Sequence, residues 1–254
     1  EGSSFEGRTP RAPQAEGSSF EGRTPRAPQA EGSYLAKFNR LSGDPYNNAR
    51  VELACLNMAR AVGLNVVEGR VVSGVNGRDV LLLNRFDLTP GGNRRHLLTV
   101  NALLKERATQ RDSGLVFRYD DVSDLLSRYS VAIEADLKQL VRLAMFNRAI
   151  NNTDDHSRNF SLINDGEGYR LSPAYDLVPQ PAMGEYHAAG FSHQPNPPKP
   201  SEISGAGRMF GLSTTWLCAC ADEVIAGIDR WSEFAEQAGV DESEHDRLRR
   251  LFNP

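Results

Sequence analysis

NNTDDHSRN, at positions 151–159, is the most informative stretch of this chain. It follows an apolar segment with helical periodicity and precedes the strand-like FSLI of 160–163, so packing does not explain its polarity. Asp154 and Asn159 are spaced as Asp-x-x-x-x-Asn, and an isolated acid, Asp176, ends the sequence SPAYD. Protein kinases space a catalytic Asp, a metal-binding Asn and a second metal-binding Asp in this way around ATP. The stretch therefore predicts a site for phosphoryl transfer.

Toward the N-terminus, the patterns predict a small β-rich lobe over residues 16–90. YLAKF alternates and is bounded by Gly and Asn, which indicates a short strand carrying Lys37. An amphipathic pattern then predicts a helix with Glu52 in its first turns, and Asn76-Gly77 predicts the turn of a hairpin. The predicted strand, helix and two hairpin strands lie at 34–38, 48–63, 66–72 and 79–86.

Toward the C-terminus, helical periodicity predominates over residues 91–254. We expect helices at 122–129, 133–149, 214–230 and 242–252, and hairpin strands at 160–163 and 168–171. A Pro- and Gly-rich stretch, about 179–205, is predicted to be irregular and mobile. A β-rich lobe followed by a helical lobe, with the polar stretch at the join, is typical of a bilobal protein kinase.

The composition is that of an ordinary globular protein, with 39% hydrophobic and 24% charged residues and a formal net charge of −4. With this charge we expect no direct binding to nucleic acid. No run approaches the roughly 18–20 apolar residues of a membrane span, and no apolar signal-peptide core is present. The three cysteines form no Cys-x-x-Cys, which favours reduced thiols. We expect a cytoplasmic protein without membrane association.

Residues 1–15 are repeated letter for letter as residues 16–30. A solenoid needs about three or more repeats and tolerates divergence between them, so two identical copies do not predict one. We take 16–30 as the copy that continues into the domain, and we expect no independent structure for 1–15.

Five side chains carry the predicted chemistry. Asp154 is expected to orient and deprotonate a substrate hydroxyl, while Asn159 and Asp176 hold the Mg²⁺ that bridges the phosphates of ATP. A kinase keeps on a strand the Lys that contacts the α- and β-phosphates, which matches Lys37, and Glu52 is placed to pair with it.

GSSFEGRT, at 17–24, looks like a Walker A sequence with Arg in place of Lys. A P-loop follows a buried strand and opens a helix, whereas APQAE precedes this segment and Pro25 follows it closely. We therefore predict a flexible loop whose backbone N–H groups cover the phosphates. Its nucleotide-binding residues are expected to include Ser18, Ser19 and Gly22.

These motifs together resemble the HipA family, the kinase toxins of bacterial toxin–antitoxin modules. The resemblance covers about residues 16–215, and it rests on GSSFEGRTPR, YLAKF, residues 48–55, NRFD, RRH, NTDDHSRN and SPAYDLVP. It implies an α+β, bilobal protein-kinase-like fold with a small β-rich N-lobe and a mainly helical C-lobe.

The resemblance also implies residue roles. In it, Asp154 is catalytic, Asn159 and Asp176 bind magnesium, and Lys37 contacts ATP. The strand before Arg-Phe-Asp is the hinge that takes adenine, which assigns nucleotide contacts to Leu83, Asn84, Arg85 and Phe86.

Two further residues of the polar stretch receive roles. Arg158 stands where the family usually has Lys; an Arg can still stabilise the transferring phosphate, though with a different geometry, so we assign it to catalysis. His156 has no partner His, so we expect it to brace the loop rather than hold a metal, and we group it with the nucleotide-binding residues.

Family members autophosphorylate a Ser in the glycine-rich loop, which expels the loop and switches the kinase off. By alignment this residue is Ser19, or Ser4 in the duplicate copy, with Ser18 as the neighbouring alternative. A phosphate adds about −1.5 to −2 charges and would repel the phosphates of ATP.

The main functional hypothesis is a HipA-type, ATP-dependent serine/threonine protein kinase. The resemblance implies inhibition of translation through phosphorylation of an aminoacyl-tRNA synthetase or similar protein, and an antitoxin partner of HipB type, either free or DNA-bound. Two alternatives remain: a decayed nucleotide- or antitoxin-binding protein, and a small-molecule kinase of the aminoglycoside-phosphotransferase sort.

Overall fold

A three-stranded antiparallel sheet opens the part of the chain that the computed structural model describes, which is residues 32–40, 42–89, 91–108, 117–181, 186–205 and 207–254. Its strands pair in the order β1-β3-β2, and Lys37 of the first strand lies opposite Leu81. One helix follows the first strand. The bounds are β1 Tyr34–Phe38, α1 Asn48–Ala61, β2 Gly69–Val75 and β3 Arg78–Asn84.

The predicted hairpin is confirmed, with shifted strand bounds. Its turn places Asn76 at φ 51° and Gly77 at φ 73°, the left-handed values that two-residue hairpin turns require. The first hairpin strand, β2, starts three residues later than predicted. The backbone before it pairs with a different part of the chain, since the N–H of Val67 donates to the carbonyl of Ala174 at 2.9 Å. The second strand ends at Asn84, not at residue 86.

The rest of the described chain is mainly helical and contains a second antiparallel sheet, ordered β4-β5-β6. No helix in the described ranges is both long and apolar enough to cross a membrane. The bounds are β4 Leu97–Thr99, α2 Val100–Ala108, α3 Tyr119–Tyr129, α4 Ile133–Ala149, β5 Ser161–Asn164, β6 Tyr169–Leu171, α5 Thr214–Asp229, α6 Trp231–Ala238 and α7 Glu242–Arg249, with 3₁₀ turns at Ser157–Asn159 and Pro200–Gly205.

The expected α+β class is confirmed, and several of its details differ. β4, α2 and α6 were not predicted: β4 has three residues and exists by pairing with β5, while α6 is a short separate helix that begins directly after the end of the predicted helix 214–230. α7 ends at Arg249, short of the predicted residue 252. The described part of 179–205 is irregular as expected, apart from its 3₁₀ turn.

α1 is buried on several sides, because it packs on β2 and β3 and also on α5 and α6. The side chain of Asn47 caps its N-terminus by accepting from the N–H of Arg50 at 3.2 Å. Arg50 donates to Asp79 of β3 at 2.6 Å and to the carbonyl of Gly239 after α6. The helix that carries Glu52 is therefore fastened to both halves of the molecule.

At Gly227, α5 packs closely against Val62 at the end of α1. A Cβ added to Gly227 would lie 2.1 Å from Cγ1 of Val62, so Gly227→Ala forces a displacement there. We expect an overpacking cost of ~1–3 kcal/mol, offset by roughly 1 kcal/mol of improved helix propensity. Urea unfolding measures it, with the exposed Ala226→Ser as control. Adding Val62→Ala should reduce the cost; an unchanged cost in that double variant contradicts this packing.

Candidate active site

Lys37 is the centre of the site. Its Nζ donates to Glu52 Oε1 at 2.8 Å, to Glu52 Oε2 at 3.0 Å and to Asp176 Oδ1 at 2.6 Å. β1, α1 and the chain after β6 supply one residue each. The pairing of Lys37 with Glu52, which the sequence predicts, is present, and the metal-binding candidate Asp176 joins it.

Electrostatics make this cluster interdependent. Burial alone lowers the pKa of Lys37, but the carboxylates of Glu52 and Asp176 outweigh it, so this pKa lies above its ordinary value. Glu52 is only 4% exposed, and burial raises the pKa of its carboxyl against the attraction of Lys37. The ammonium is therefore protonated at neutral pH and supports the ionised form of Glu52.

Residues 151–159, the polar loop, connect α4 to β5. The side chain of Asp154 is 38% exposed, and its Oδ1 lies 4.0 Å from Nε2 of His156, beyond hydrogen-bond distance. The Nδ2 of Asn159 donates to the backbone carbonyl of Asp154 at 3.0 Å, across one turn of 3₁₀ helix. The loop thus holds Asp154 and Asn159 together and presents the carboxylate of Asp154 to solvent.

Asn152 ties the polar loop to Asp176. Its Nδ2 donates to the carbonyl of Asp176 at 3.3 Å and to Oδ1 of Asn147 on α4 at 3.0 Å. Asp176 has φ 62°, a left-handed conformation that costs a non-glycine residue about 1–3 kcal/mol and that clusters at functional sites. Asp154, Asn159 and Asp176 therefore belong to one connected unit.

A cavity of about 440 Å³, the β3 cavity, lies between the two sheets, and Lys37 lines it. The ring of Phe86 stacks on Tyr175, with centroids 6.0 Å apart. The volume of the β3 cavity falls within the ~300–1,000 Å³ of small-molecule sites, and the cavity walls are largely apolar, which suits a planar base. The lining residues are Leu35, Lys37, Val67, Leu83, Asn84, Arg85, Phe86, Asp87, Leu97, Thr99, Ser161 and Tyr175.

The other predicted residues are placed as follows. All four expected adenine contacts, residues 83–86, line the β3 cavity. His156 lies beside Asp154 and does not line that cavity. Arg158 is exposed and contributes its backbone, whose carbonyl accepts from Tyr175 Oη at 2.9 Å. Ser4, Ser18, Ser19 and Gly22, with the whole duplication, lie outside the described residues.

Sequence reasoning missed several residues of the site. Asn152 and Tyr175 stand inside quoted motifs, but nothing in the motifs indicates that one tethers Asp176 and the other lines the cavity. Leu35 and Thr99 come from distant parts of the chain. Asp155 is buried, whereas its neighbour Asp154 is not, and local sequence does not distinguish the two.

The donor atoms fit magnesium. Since Nδ2 of Asn159 is engaged by a carbonyl, its amide oxygen is left for a ligand, and Asp176 has a second carboxylate oxygen besides the one that Lys37 contacts. Mg²⁺ takes oxygen ligands and is usually bound through one or two carboxylates together with substrate phosphates. Asn159 and Asp176 are the residues that would hold it.

The chain resembles proteins whose names describe them as kinases. Putative kinase Y4mE of Sinorhizobium fredii is 30% identical over 210 residues, which make up 79% of this chain and 42% of that protein. The chain thus spans less than half the length of this curated relative.

Solved structures show the same fold. HipA of Shewanella oneidensis MR-1, from a complex with HipB and operator DNA, matches with a TM-score of 0.63 and 18% identity over 86% of this chain and 55% of that chain. The Helicobacter pylori proinflammatory kinase CtkA matches with a TM-score of 0.57 and 14% identity over 86% of this chain and 87% of that chain. The expected bilobal protein-kinase-like fold is confirmed. The model of the HipA-like C-terminal domain matches residues 4–251, and the chain therefore belongs to that family.

Proposed function

We propose that this chain is an ATP-dependent serine/threonine protein kinase. One observation carries the proposal: Lys37 lines the β3 cavity and donates to both Glu52 and Asp176. With the adenine base in the β3 cavity, the triphosphate of ATP is directed toward Lys37. The ammonium of Lys37, aligned by the buried carboxylate of Glu52, then contacts the α- and β-phosphates. The polar loop supplies Asp154 on the same connected unit as Asp176.

The reaction follows from these positions. Asp154 accepts the proton of the acceptor hydroxyl as the hydroxyl oxygen forms a bond to the γ-phosphorus. The bond from that phosphorus to the β–γ bridging oxygen breaks, and ADP leaves. Asn159 and Asp176 would hold magnesium, which would neutralise the phosphate charge. Arg158, which is exposed to solvent, stabilises the negative charge of the transferring phosphoryl group with its guanidinium.

The proposed substrate is a protein of translation, such as an aminoacyl-tRNA synthetase, and the proposed partner is an antitoxin of HipB type. Support comes from the family resemblance and from the Shewanella HipA structure, which contains HipB and operator DNA. The chain covers 55% of the length of that HipA.

Phosphosite mass spectrometry after incubation with Mg-ATP tests the proposal. We expect phosphate on Ser19 or Ser4, because the family resemblance implies autophosphorylation of a Ser in the glycine-rich sequence. The variant Ser4→Ala/Ser19→Ala should lose most of this label, and Ser127→Ala, on an exposed helical position, should keep it.

Other outcomes count against the proposal. Stabilisation by nucleotide without phosphotransfer to the chain or to any acceptor protein would favour the decayed binding protein. Phosphorylation of an aminoglycoside alone would favour the small-molecule kinase.

A further inference from the structure

Asp155 has no part in the proposed phosphoryl transfer, yet it is a buried carboxylate beside Asp154. The side chains of Asp155 and His187 are both 0% exposed, and Oδ2 of Asp155 lies 2.9 Å from Nδ1 of His187. Its other oxygen, Oδ1, accepts from the N–H of Ala189 at 3.0 Å. A buried carboxylate is costly unless such partners satisfy it. The pair therefore holds the polar loop, which carries Asp155, against the 186–190 segment, which carries His187.

A chain of hydrogen bonds, buried except for its last member, continues from Asp155 to the metal-binding candidate Asp176. Tyr119 Oη donates to Asp155 Oδ2 at 2.8 Å, and Asn147 Nδ2 donates to Tyr119 Oη at 3.0 Å. Asn152 Nδ2 donates to Asn147 Oδ1 and to the carbonyl of Asp176. The hydrogen bonds of such a network strengthen one another, so the positions of Asp155 and Asp176 are energetically coupled.

The backbone of the 186–190 segment lies along the polar loop and the start of α3. The N–H of Ala188 donates to the carbonyl of Thr153 at 2.9 Å, and the N–H of Gly190 donates to the carbonyl of Phe117 at 2.9 Å. With the bond of Ala189 to Asp155, three successive amides of this segment are engaged. Ala188 is thus bonded to the residue directly before Asp154.

The sequence that leads from Asp176 into this segment has an informative composition. Residues 177–190 are LVPQPAMGEYHAAG, which contain no Ser and no Thr. Protein kinases commonly order the corresponding stretch by phosphorylation, through new Arg–phosphate pairs. Here the only hydroxyl is that of Tyr186, whose side chain is exposed.

We propose that Asp155 and His187 are positioning residues that dock the 186–190 segment on the polar loop without any phosphorylation. The docked segment preforms the surface beside Asp154 on which the acceptor protein lies. The inference about acceptor binding rests on the proposed kinase function, whereas the docking itself does not.

Hydrogen exchange at the amides of Ala188, Ala189 and Gly190 tests the docking. His187→Phe keeps a ring but removes the donor, and we expect exchange to be about ten-fold faster, the effect of losing one buried charge-assisted hydrogen bond. His187→Asn restores a donor near Nδ1 and should recover much of the protection. His193→Phe, at an exposed position, is the matched control. Unchanged exchange in His187→Phe overturns the proposal.

Asp155→Asn answers the same question should His187→Phe fail to fold. It keeps one acceptor oxygen but places an NH2 where the carboxylate has its second one, so the bonds of Asp155 to the N–H of Ala189 on one side, or to His187 and Tyr119 on the other, are disturbed. Faster exchange at the three amides supports docking, and wild-type exchange contradicts it. Tyr186→Phe should leave exchange as in the wild type; loss of protection there would show that its hydroxyl or its phosphate orders the segment, and would overturn the phosphate-free mechanism.

Phosphotransfer to myelin basic protein, used as a generic acceptor, tests the positioning role. We expect kcat/KM for the acceptor to fall about ten-fold in His187→Phe, while KM for ATP stays at the wild-type value. The positioning role is contradicted if kcat/KM for the acceptor and KM for ATP change by the same factor, or if neither changes. A wild-type protein that transfers no phosphate overturns the proposed function and the acceptor role together, and the exchange measurement then decides the docking alone.

Discussion

Asp154→Asn is expected to lower kcat for phosphotransfer by about 10²–10⁴, the contribution of a positioned general base. The amide keeps the size of the carboxylate but cannot accept the proton of the attacking hydroxyl. Because the side chain is 38% exposed and makes no close hydrogen bond to His156, the fold should be unaffected, so the melting temperature and ATP binding should match the wild type. Initial-rate kinetics with a labelled acceptor protein measure the effect.

Asp222→Asn is the matched control, since it removes a carboxylate from an exposed position of α5. Its kcat should equal that of the wild type. An Asp154→Asn enzyme that retains the wild-type rate would remove Asp154 from the mechanism, and Asp155 is too buried to replace it at the surface.

Lys37→Met is expected to lower kcat/KM by about 10²–10³, the usual cost of losing one preorganised charged donor in an active site. The methionine preserves the length of the side chain but leaves Glu52 and Asp176 without their shared cation. Arg40→Met, which removes an exposed cation two residues beyond β1, should retain activity. Equal activity of Lys37→Met and the wild type would contradict the assignment of Lys37 to the phosphates.

Stability gives a second measure of the Lys37→Met variant that does not depend on activity. Burial raises the folded-state pKa of Glu52 above its unfolded value, and without Lys37 the opposing attraction is gone. A group with a raised folded pKa contributes stability that is present below its unfolded pKa and is lost as pH rises through its folded pKa. The variant should therefore be nearly as stable as the wild type at about pH 4, below the unfolded-state pKa of Glu52, and less stable at about pH 8.

The expected difference at the higher pH is ~1–3 kcal/mol, below the 3–5 kcal/mol typical of a broken buried pair because the side chain of Lys37 is 32% exposed. Thermal or urea unfolding at both pH values measures it. The double variant Lys37→Met/Glu52→Leu should recover most of the loss, because no buried carboxylate remains. A pH-independent difference would contradict this account of Glu52.

Particular elements show how far the sequence predicts this fold. The alternation of YLAKF placed β1 at its observed bounds, and the periodicity over 133–149 matched α4. The expected pairing of Lys37 with Glu52 is present in the structure. β4 could not be predicted, since three residues carry no period and the strand forms only by pairing with β5. The end of α5 was predicted to within one residue, at 230 against the observed Asp229, whereas the short helix α6 after it was not predicted.

The sequence by itself determined which residue types stand at which spacing, and from these the α+β class and the candidate residues Asp154, Asn159 and Asp176. Only the tertiary structure decided that Lys37 contacts Asp176, 139 residues further along the chain, and that Asp155 turns inward to His187 while Asp154 faces solvent. Adjacent aspartates have the same local preferences. What separates them is the set of partners that distant segments bring to each one, and only the folded chain contains those partners.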